Sequence, residues 1–169
     1  VPDGMQAIGN GRFSGREGHT WRWEQAEPMP AYLFTVCVGS FDVYTESGDG
    51  VPVRYLAPAG VSDADFKRIF GKTPAMIAFF EERYGHPYPW PRYDQVVVHD
   101  FIFGGMENVA STTLTDLCLT DERAAIDWDA EDLIAHELAH QWFGDLLTCQ
   151  DWSQGYLNEA WATYSAVSY

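Results

Sequence analysis

Residues 129–145 read DAEDLIAHELAHQWFGD, and this stretch carries both a helix signal and the chemistry of the chain. Asp129, or Asp127 just before it, is suited to cap a helix because its carboxylate accepts hydrogen bonds from the free amides of the first turn. Gly144 is suited to end one. The segment therefore predicts a long helix that runs through Phe143.

Two histidines of this helix, His136 and His140, are spaced to bind one metal ion. They lie about 40° apart on one face and one turn apart, so both imidazole rings reach a common point. Glu137 points to the adjoining part of that face, where it can act as a general base on a water. Two imidazoles and a carboxylate, with a fourth position left to water, favour one Zn²⁺ per chain, for which cobalt or manganese could substitute.

The third ligand must be a carboxylate, because no histidine follows His140 and the three-histidine metzincin pattern is excluded. Asp145 lies about 140° round the helix from His140 and faces the wrong way. Glu159, on a helix expected to return after the break at Gly144, is the favoured ligand. Asp151 is the weaker rival.

Residues 104–108 read GGMEN, an extended segment in which an acidic residue follows two glycines. A peptide substrate can add to such an edge through main-chain hydrogen bonds, and Gly104 and Gly105 allow a close approach. Glu107 could then accept the substrate's terminal ammonium group, and Met106 is a candidate for the first specificity pocket. The alternative is a β-turn with a solvated Glu107.

The rest of the chain reads as strands first and helices later, which predicts the α+β class. Residues 1–30 suggest turns and short strands, and the proline-rich stretch before Asp94 suggests an irregular connector. The predicted strands are residues 31–40, 51–57 and 94–99, with an extended edge over 101–115 and a Ser-Gly-Asp-Gly turn at 47–50. The predicted helices lie between Ser62 and Gly71, between Pro74 and Gly85, and from a start between Ser153 and Tyr156.

Charge and composition narrow the possible partners. The formal net charge of −15 argues against nucleic acid as a partner and favours cationic ligands. The three cysteines form no CxxC pair, so reduced, partly buried thiols are expected. No segment is apolar for long enough to cross a bilayer, so a soluble segment is expected, with the cytoplasm favoured and the compartment left open. Both ends look like cuts, which indicates a fragment.

Three blocks together resemble the zinc aminopeptidase N family of gluzincins. They are GGMEN at 104–108, HELAHQWFGD at 136–145 and NEAWATY at 158–164, and the interval from His140 to Glu159 fits the family pattern HExxH-x18-E. Weaker similarity covers essentially the whole chain. The resemblance implies that residues 1–39 end an N-terminal all-β domain, and that residues 40–169 form a thermolysin-like catalytic domain that is incomplete at its C-terminal end.

The resemblance also implies the roles of the site residues. His136, His140 and Glu159 would bind zinc, Glu137 would be the general base, and Glu107 would hold the α-amine of a peptide with a free N-terminus. The implied function is hydrolysis of the N-terminal peptide bond. A tyrosine that stabilises the oxyanion in the family would lie beyond Tyr169, so the isolated segment is expected to be weak or inactive.

Two residues depart from the family pattern. Ala160 stands where the family usually has glycine, and little effect is expected because a helix accepts alanine. Ala166 stands where many relatives carry a carboxylate that supports the metal site, and with the missing tyrosine it keeps a non-catalytic function open. One alternative is an endopeptidase of thermolysin type, which would have no use for Glu107. The other is a zinc-binding domain without catalysis.

Overall fold

The computed structural model describes residues 1–46, 48 and 50–169, so Ser47 and Asp49 of the predicted turn lie outside the described residues. Strands and helices both contribute to the fold, which confirms the α+β class. The strands are β1 Gln6–Gly9, β2 Arg12–Glu17, β3 Thr20–Glu24, β4 Val36–Gly39, β5 Phe41–Thr45, β6 Val53–Pro58, β7 Tyr93–Val98, β8 Gly105–Met106 and β9 Ser111–Thr115. The helices are α1 Asp63–Phe70, α2 Thr73–Tyr84, α3 Glu131–Ala139 and α4 Tyr156–Ser168.

A mixed five-stranded sheet in the order β5-β6-β7-β9-β8 forms the centre of the molecule. Strands β6, β7 and β9 are parallel, and β5 and β8 pair antiparallel at the two edges. Helices α1 and α2 connect β6 to its parallel neighbour β7, as a parallel pair requires. The GGMEN segment thus supplies the edge strand β8, which confirms an extended edge at 105–106 but not over the whole of 101–115.

The two predicted helices after β6 are confirmed, together with their caps. Ser62 Oγ accepts a hydrogen bond from the Asp65 amide at 3.2 Å, and α1 ends at Gly71. Helix α2 carries Pro74 in its first turn and ends at Gly85, whose φ of 64° lies in the left-handed region that glycine adopts without strain.

The hydrophobic core lies between the sheet and the helices. Tyr55 and Tyr93 from the sheet, Phe80 from α2 and Leu138 from α3 have no exposed surface and belong to one cluster. Full burial of each such side chain contributes about 1.5–3 kcal/mol. The histidine-bearing helix α3 is therefore anchored by its buried face.

The N-terminal strands are fixed to the sheet by one buried arginine. Arg92 donates Nε to the Gly11 carbonyl at 2.7 Å and Nη1 to the Ala110 carbonyl at 3.0 Å, and it also binds the Gly9 carbonyl. Its charge is balanced by the buried Asp94. This contact joins the first strands to the turn that follows GGMEN.

The strand predicted over residues 31–40 is only partly correct. Residues Ala31–Leu33 form a 3-10 turn, in which the Leu33 amide donates to the Pro30 carbonyl at 3.1 Å, and the strand begins at Val36. Pro30 lacks an amide hydrogen and has a fixed φ, which suits a turn better than a ladder.

The long helix predicted through Phe143 is shorter than expected, since α3 ends at Ala139. The following amides, of Gln141 and Trp142, bond three residues back, so the last turn tightens. At the other end of α3, the N-cap residue is Ala130, and Asp129 Oδ1 accepts a hydrogen bond from the Glu131 amide at 2.9 Å. Asp129 therefore satisfies a first-turn amide, and Asp127 lies outside the cap. Helix α4 begins at Tyr156, as predicted.

Among the residues that the structure describes, no helix combines the length and the apolar character needed to cross a bilayer.

Candidate metal centre

Helices α3 and α4 carry the three candidate ligands. His136 lies in the last turn of α3, and His140 follows as its C-cap with helical φ and ψ of −58° and −25°. The His140 amide still donates to the His136 carbonyl at 3.2 Å. Although α3 ends before His140, both imidazoles therefore remain on one face. Glu159 lies in the first turn of α4, beside them.

The side chains of these three residues converge on one point. His136 Nε2 lies 3.1 Å from His140 Nε2. Glu159 Oε2 lies 3.4 Å from His136 Nε2 and 3.5 Å from His140 Nε2. Ligand atoms about 2.1 Å from a tetrahedral ion lie about 3.4 Å from one another. The observed spacing therefore fits a metal ion with two imidazole ligands and one carboxylate ligand.

The tautomer of His140 suits metal binding. Its Nδ1 lies 2.8 Å from the Phe143 carbonyl oxygen, which can only accept, so Nδ1 carries the hydrogen. The lone pair is then on Nε2, the atom that faces His136 and Glu159. A hydrogen bond from the far ring nitrogen also fixes the ring orientation.

Opposite charges in the cluster favour the ionised carboxylate. Contact with His136, followed by contact with His140, holds the pKa of Glu159 well below its usual range. Burial lowers the pKa of His140, but the contact with Glu159 and the charge of Glu107 outweigh burial and raise it overall. Glu159 is thus a charged candidate ligand on the open side of the cluster.

Glu137 is a buried carboxylate next to the cluster. It is 5% exposed, and its Oε2 has no hydrogen-bond partner among the described residues. Burial raises the pKa of Glu137 to about 8, and the charge of Glu107 adds to the increase while His140 opposes it. A Cβ at Gly105 would lie 2.3 Å from Glu137 Oε1, so the absence of a side chain there lets Glu137 lie against the edge strand.

Glu107 and the edge strand form the opposite wall of one cleft. Glu107 is 8% exposed and lines the cleft, so the residue is largely buried while its side chain reaches the cleft. The cleft is lined by every site residue named from the sequence: Gly104, Gly105, Met106, Glu107, His136, Glu137, His140 and Glu159. The edge strand and the metal cluster therefore face the same space.

The two rival carboxylates lie elsewhere. Asp151 caps a 3-10 turn, and its Oδ1 accepts from the Ser153 amide at 2.9 Å. Asp145 is buried, does not line the cleft, and has a pKa raised well above its usual value by burial and by the charges of Glu107 and Glu137. Glu159 alone of the three carboxylates joins the histidines.

Sequence reasoning missed several residues of the cleft. Phe103, Asp132 and Leu133 also line it. Leu133 could have been found, because it precedes His136 by three residues and must share its helix face. Phe103 gives no such signal, and neither does the buried Gln141, whose hydrogen-bond partners lie 31 to 53 residues away in the chain.

Comparison with known proteins gives the class of the chain. Residues 69–169 match the model described as the Peptidase family M1 domain. The chain therefore belongs to peptidase family M1.

Particular relatives share sequence over most of the chain. It is 33% identical over 176 aligned positions to Aminopeptidase N of Streptomyces lividans, covering 99% of this chain and 20% of that protein. It is 36% identical over 157 positions to Aminopeptidase Ey of Gallus gallus, and this alignment covers 88% of this chain and 16% of that protein. It is also 36% identical over 152 positions to Aminopeptidase M1 of Arabidopsis thaliana, and this alignment covers 87% of this chain and 17% of that protein. The chain thus spans a fifth or less of the length of these relatives.

Proposed function

We propose that this chain carries the zinc-binding and catalytic core of an aminopeptidase, which hydrolyses the N-terminal peptide bond of peptides with a free N-terminus. The observation that carries the proposal is the cleft in which a His-His-Glu cluster and the largely buried Glu107, which directly follows the edge strand, line the same space. The aminopeptidase names of the relatives support the same class of reaction.

In this proposal His136, His140 and Glu159 hold one Zn²⁺. The fit of their spacing to tetrahedral coordination and the tautomer of His140 support this ligand set. When bound, zinc polarises the substrate carbonyl and makes a bound water more acidic. Glu159 supplies the one negative charge among the ligands.

Glu137 acts as the general base. It accepts a proton from the attacking water and passes it to the leaving amine. Its position next to His136 in the sequence, its burial, and an Oε2 with no hydrogen-bond partner in the described part of the chain support this role. Because burial raises its pKa, the carboxylate takes up a proton more readily than an exposed glutamate does.

Glu107 provides the selectivity for a free N-terminus. A largely buried carboxylate is costly when it lacks a cation, and the terminal ammonium group of a substrate supplies one. An internal peptide bond brings no such charge to Glu107. Gly104 and Gly105 allow the substrate backbone close to the edge strand, and Met106 contacts its first side chain.

The domain division is part of the proposal. Residues 1–39 would be the end of an N-terminal β-domain, and residues 40–169 most of a thermolysin-like catalytic domain that lacks its C-terminal end. In support, β1 pairs with β4 and β2 with β3, separately from the five-stranded sheet. Since the chain spans a fifth or less of its relatives, we expect the full-length protein to be active and the isolated segment weak or inactive.

The proposal is tested by release of a chromophore from an aminoacyl substrate and from its N-acetylated form by the full-length protein that carries this segment. We expect turnover of the free substrate alone, loss of turnover with a chelator, and recovery with zinc. Glu107→Ala should raise KM for the free substrate. Equal turnover of both substrates would indicate an endopeptidase. Metal binding without turnover of either substrate would indicate a non-catalytic domain. Activity that resists the chelator would refute the metal mechanism.

A further inference from the structure

Gln141 follows His140 in the chain and reaches the GGMEN segment across the cleft wall. Its side chain has no exposed surface. Nε2 donates to the Glu107 carbonyl at 3.1 Å, and Oε1 accepts from the Ala110 amide at 2.9 Å. One side chain therefore bonds the main chain of the segment on both sides of Asn108.

Gln141 is itself held in place. The Tyr88 hydroxyl lies 3.1 Å from Gln141 Oε1, and Trp90 Nε1 donates to the Gln141 carbonyl at 3.0 Å. Both the amide group and the main chain of Gln141 thus have fixed partners. A buried amide with its donors and acceptors satisfied is rigid, because each rearrangement would leave a polar group unpaired.

The segment that Gln141 contacts adopts a conformation that needs support. Ala110 has a φ of 61°, in the left-handed region that residues with a Cβ seldom adopt. Its amide is bound by Gln141, and its carbonyl accepts from Arg92 at 3.0 Å. The turn that ends the GGMEN segment is therefore held by buried side chains, among them Gln141 and Arg92, and by main-chain hydrogen bonds such as that from the Ser111 amide to the Asn108 carbonyl at 2.9 Å.

We propose that Gln141 is a positioning residue that sets the distance between the ammonium-binding carboxylate of Glu107 and the metal ligands. The proposal rests on the function proposed above. Gln141 is one residue from His140 and one hydrogen bond from the main chain of Glu107, so it connects the two directly. An aminopeptidase needs this distance fixed, because the amine and the scissile carbonyl of one residue must reach both groups at once.

The test compares two ligands of the zinc-loaded full-length protein, leucine hydroxamate and its N-acetyl derivative. Both bind through the hydroxamate, and only the first offers an ammonium group to Glu107. Calorimetry gives the ratio of their dissociation constants without reference to turnover. We expect Gln141→Glu, which replaces the donor to the Glu107 carbonyl with an acceptor, to reduce the preference for the free amine by about 10- to 100-fold. Zinc affinity should change by less than about threefold, because the ligands remain.

The chain offers a matched control. Gln95 has no exposed surface, and its Nε2 donates to Thr73 Oγ1 at 2.7 Å, away from the cleft. Gln95→Glu should lower thermal stability and leave the ligand preference unchanged. Gln141→Met removes the hydrogen bonds without adding a charge, and it provides the test if Gln141→Glu does not fold.

The outcomes separate this inference from the proposed function. If Glu107→Gln abolishes the preference while both Gln141 variants retain it, the positioning role is wrong and the proposed function stands. If Glu107→Gln leaves the preference unchanged, the proposed amine contact fails and the inference fails with it. Loss of the preference in the Gln141 variants, with Gln95→Glu like wild type, supports the inference.

Discussion

At the scale of single residues, Glu137 is defined by its lack of partners. Its carboxylate is buried, has one oxygen without a hydrogen bond among the described residues, and lies beside but outside the His-His-Glu cluster. A buried carboxylate without hydrogen bonds lowers the stability of the folded protein. Such groups are found most often at functional sites. Proton transfer is the task that its position beside the cluster allows.

Glu137→Gln separates this role from metal binding. Loss of the proton acceptor should lower kcat by about 10²- to 10⁴-fold, while zinc content stays at that of wild type, because Glu137 is not a ligand. Steady-state kinetics and metal analysis of the full-length protein measure the two effects. Glu131→Gln, the same change on the same helix in an exposed pair with Lys72, should alter kcat by less than about twofold. Loss of zinc from Glu137→Gln would contradict the assignment.

Sequence reasoning was most successful where the relevant contacts are local. The spacing of His136 and His140 fixes their common face through helix geometry alone, and Ser62 and Gly85 mark helix ends through capping. The partners of Gln141 are up to 53 residues away in the chain, at Tyr88, and no periodicity indicates them. The same holds for Arg92, whose acceptors include the distant Gly9.

At the scale of elements, local hydrogen bonds made one strand and one helix shorter than predicted. The 3-10 turn at Ala31–Leu33 replaced the first half of a predicted strand, and the tightened turn after Ala139 shortened α3. In both cases the local hydrogen-bond pattern decided where the element begins or ends. These differences leave the candidate site intact, because His140 keeps helical φ and ψ.

The buried ion pairs of Asp94 connect β6, β7 and the N-terminal strands. Asp94 has no exposed surface and faces both Arg54 and Arg92. Asp94→Asn should lower the free energy of unfolding by about 3–5 kcal/mol, because it leaves buried arginine charge uncompensated. Urea denaturation measures the loss.

The control for this prediction is an exposed carboxylate with a similar partner. Asp65 pairs with Arg68 one turn along α1 and is open to solvent. Asp65→Asn should cause a much smaller loss, because exposed ion pairs are weak. Equal losses for both variants would show that burial of the Asp94 pairs does not matter.

At the scale of the whole molecule, the His-His-Glu cluster joins α3 to α4, and α3 packs on the sheet that carries the edge strand. Zinc should therefore stabilise the folded protein by mass action, by about 2.7 kcal/mol when free zinc is 100 times its Kd. A thermal scan should show Tm rising with zinc and falling with a chelator.

Two variants test whether Glu159 causes the dependence of Tm on zinc: one in α4 and one in the 3-10 turn that precedes it. Glu159→Gln should remove most of the dependence of Tm on zinc, because it neutralises a ligand. Asp151→Asn should keep that dependence, because Asp151 caps a turn outside the cluster. A reversed result would identify Asp151 as the third ligand.

We propose that His136, His140 and Glu159 together hold one zinc ion. X-ray absorption at the zinc edge, measured on the full-length protein with one equivalent of zinc, tests it most directly. We predict a shell of two imidazoles and oxygen ligands at about 2.0–2.2 Å in the wild type, altered in Glu159→Gln by loss of the carboxylate. A sulfur ligand, fewer than two imidazoles, or a spectrum unchanged by Glu159→Gln would contradict the account.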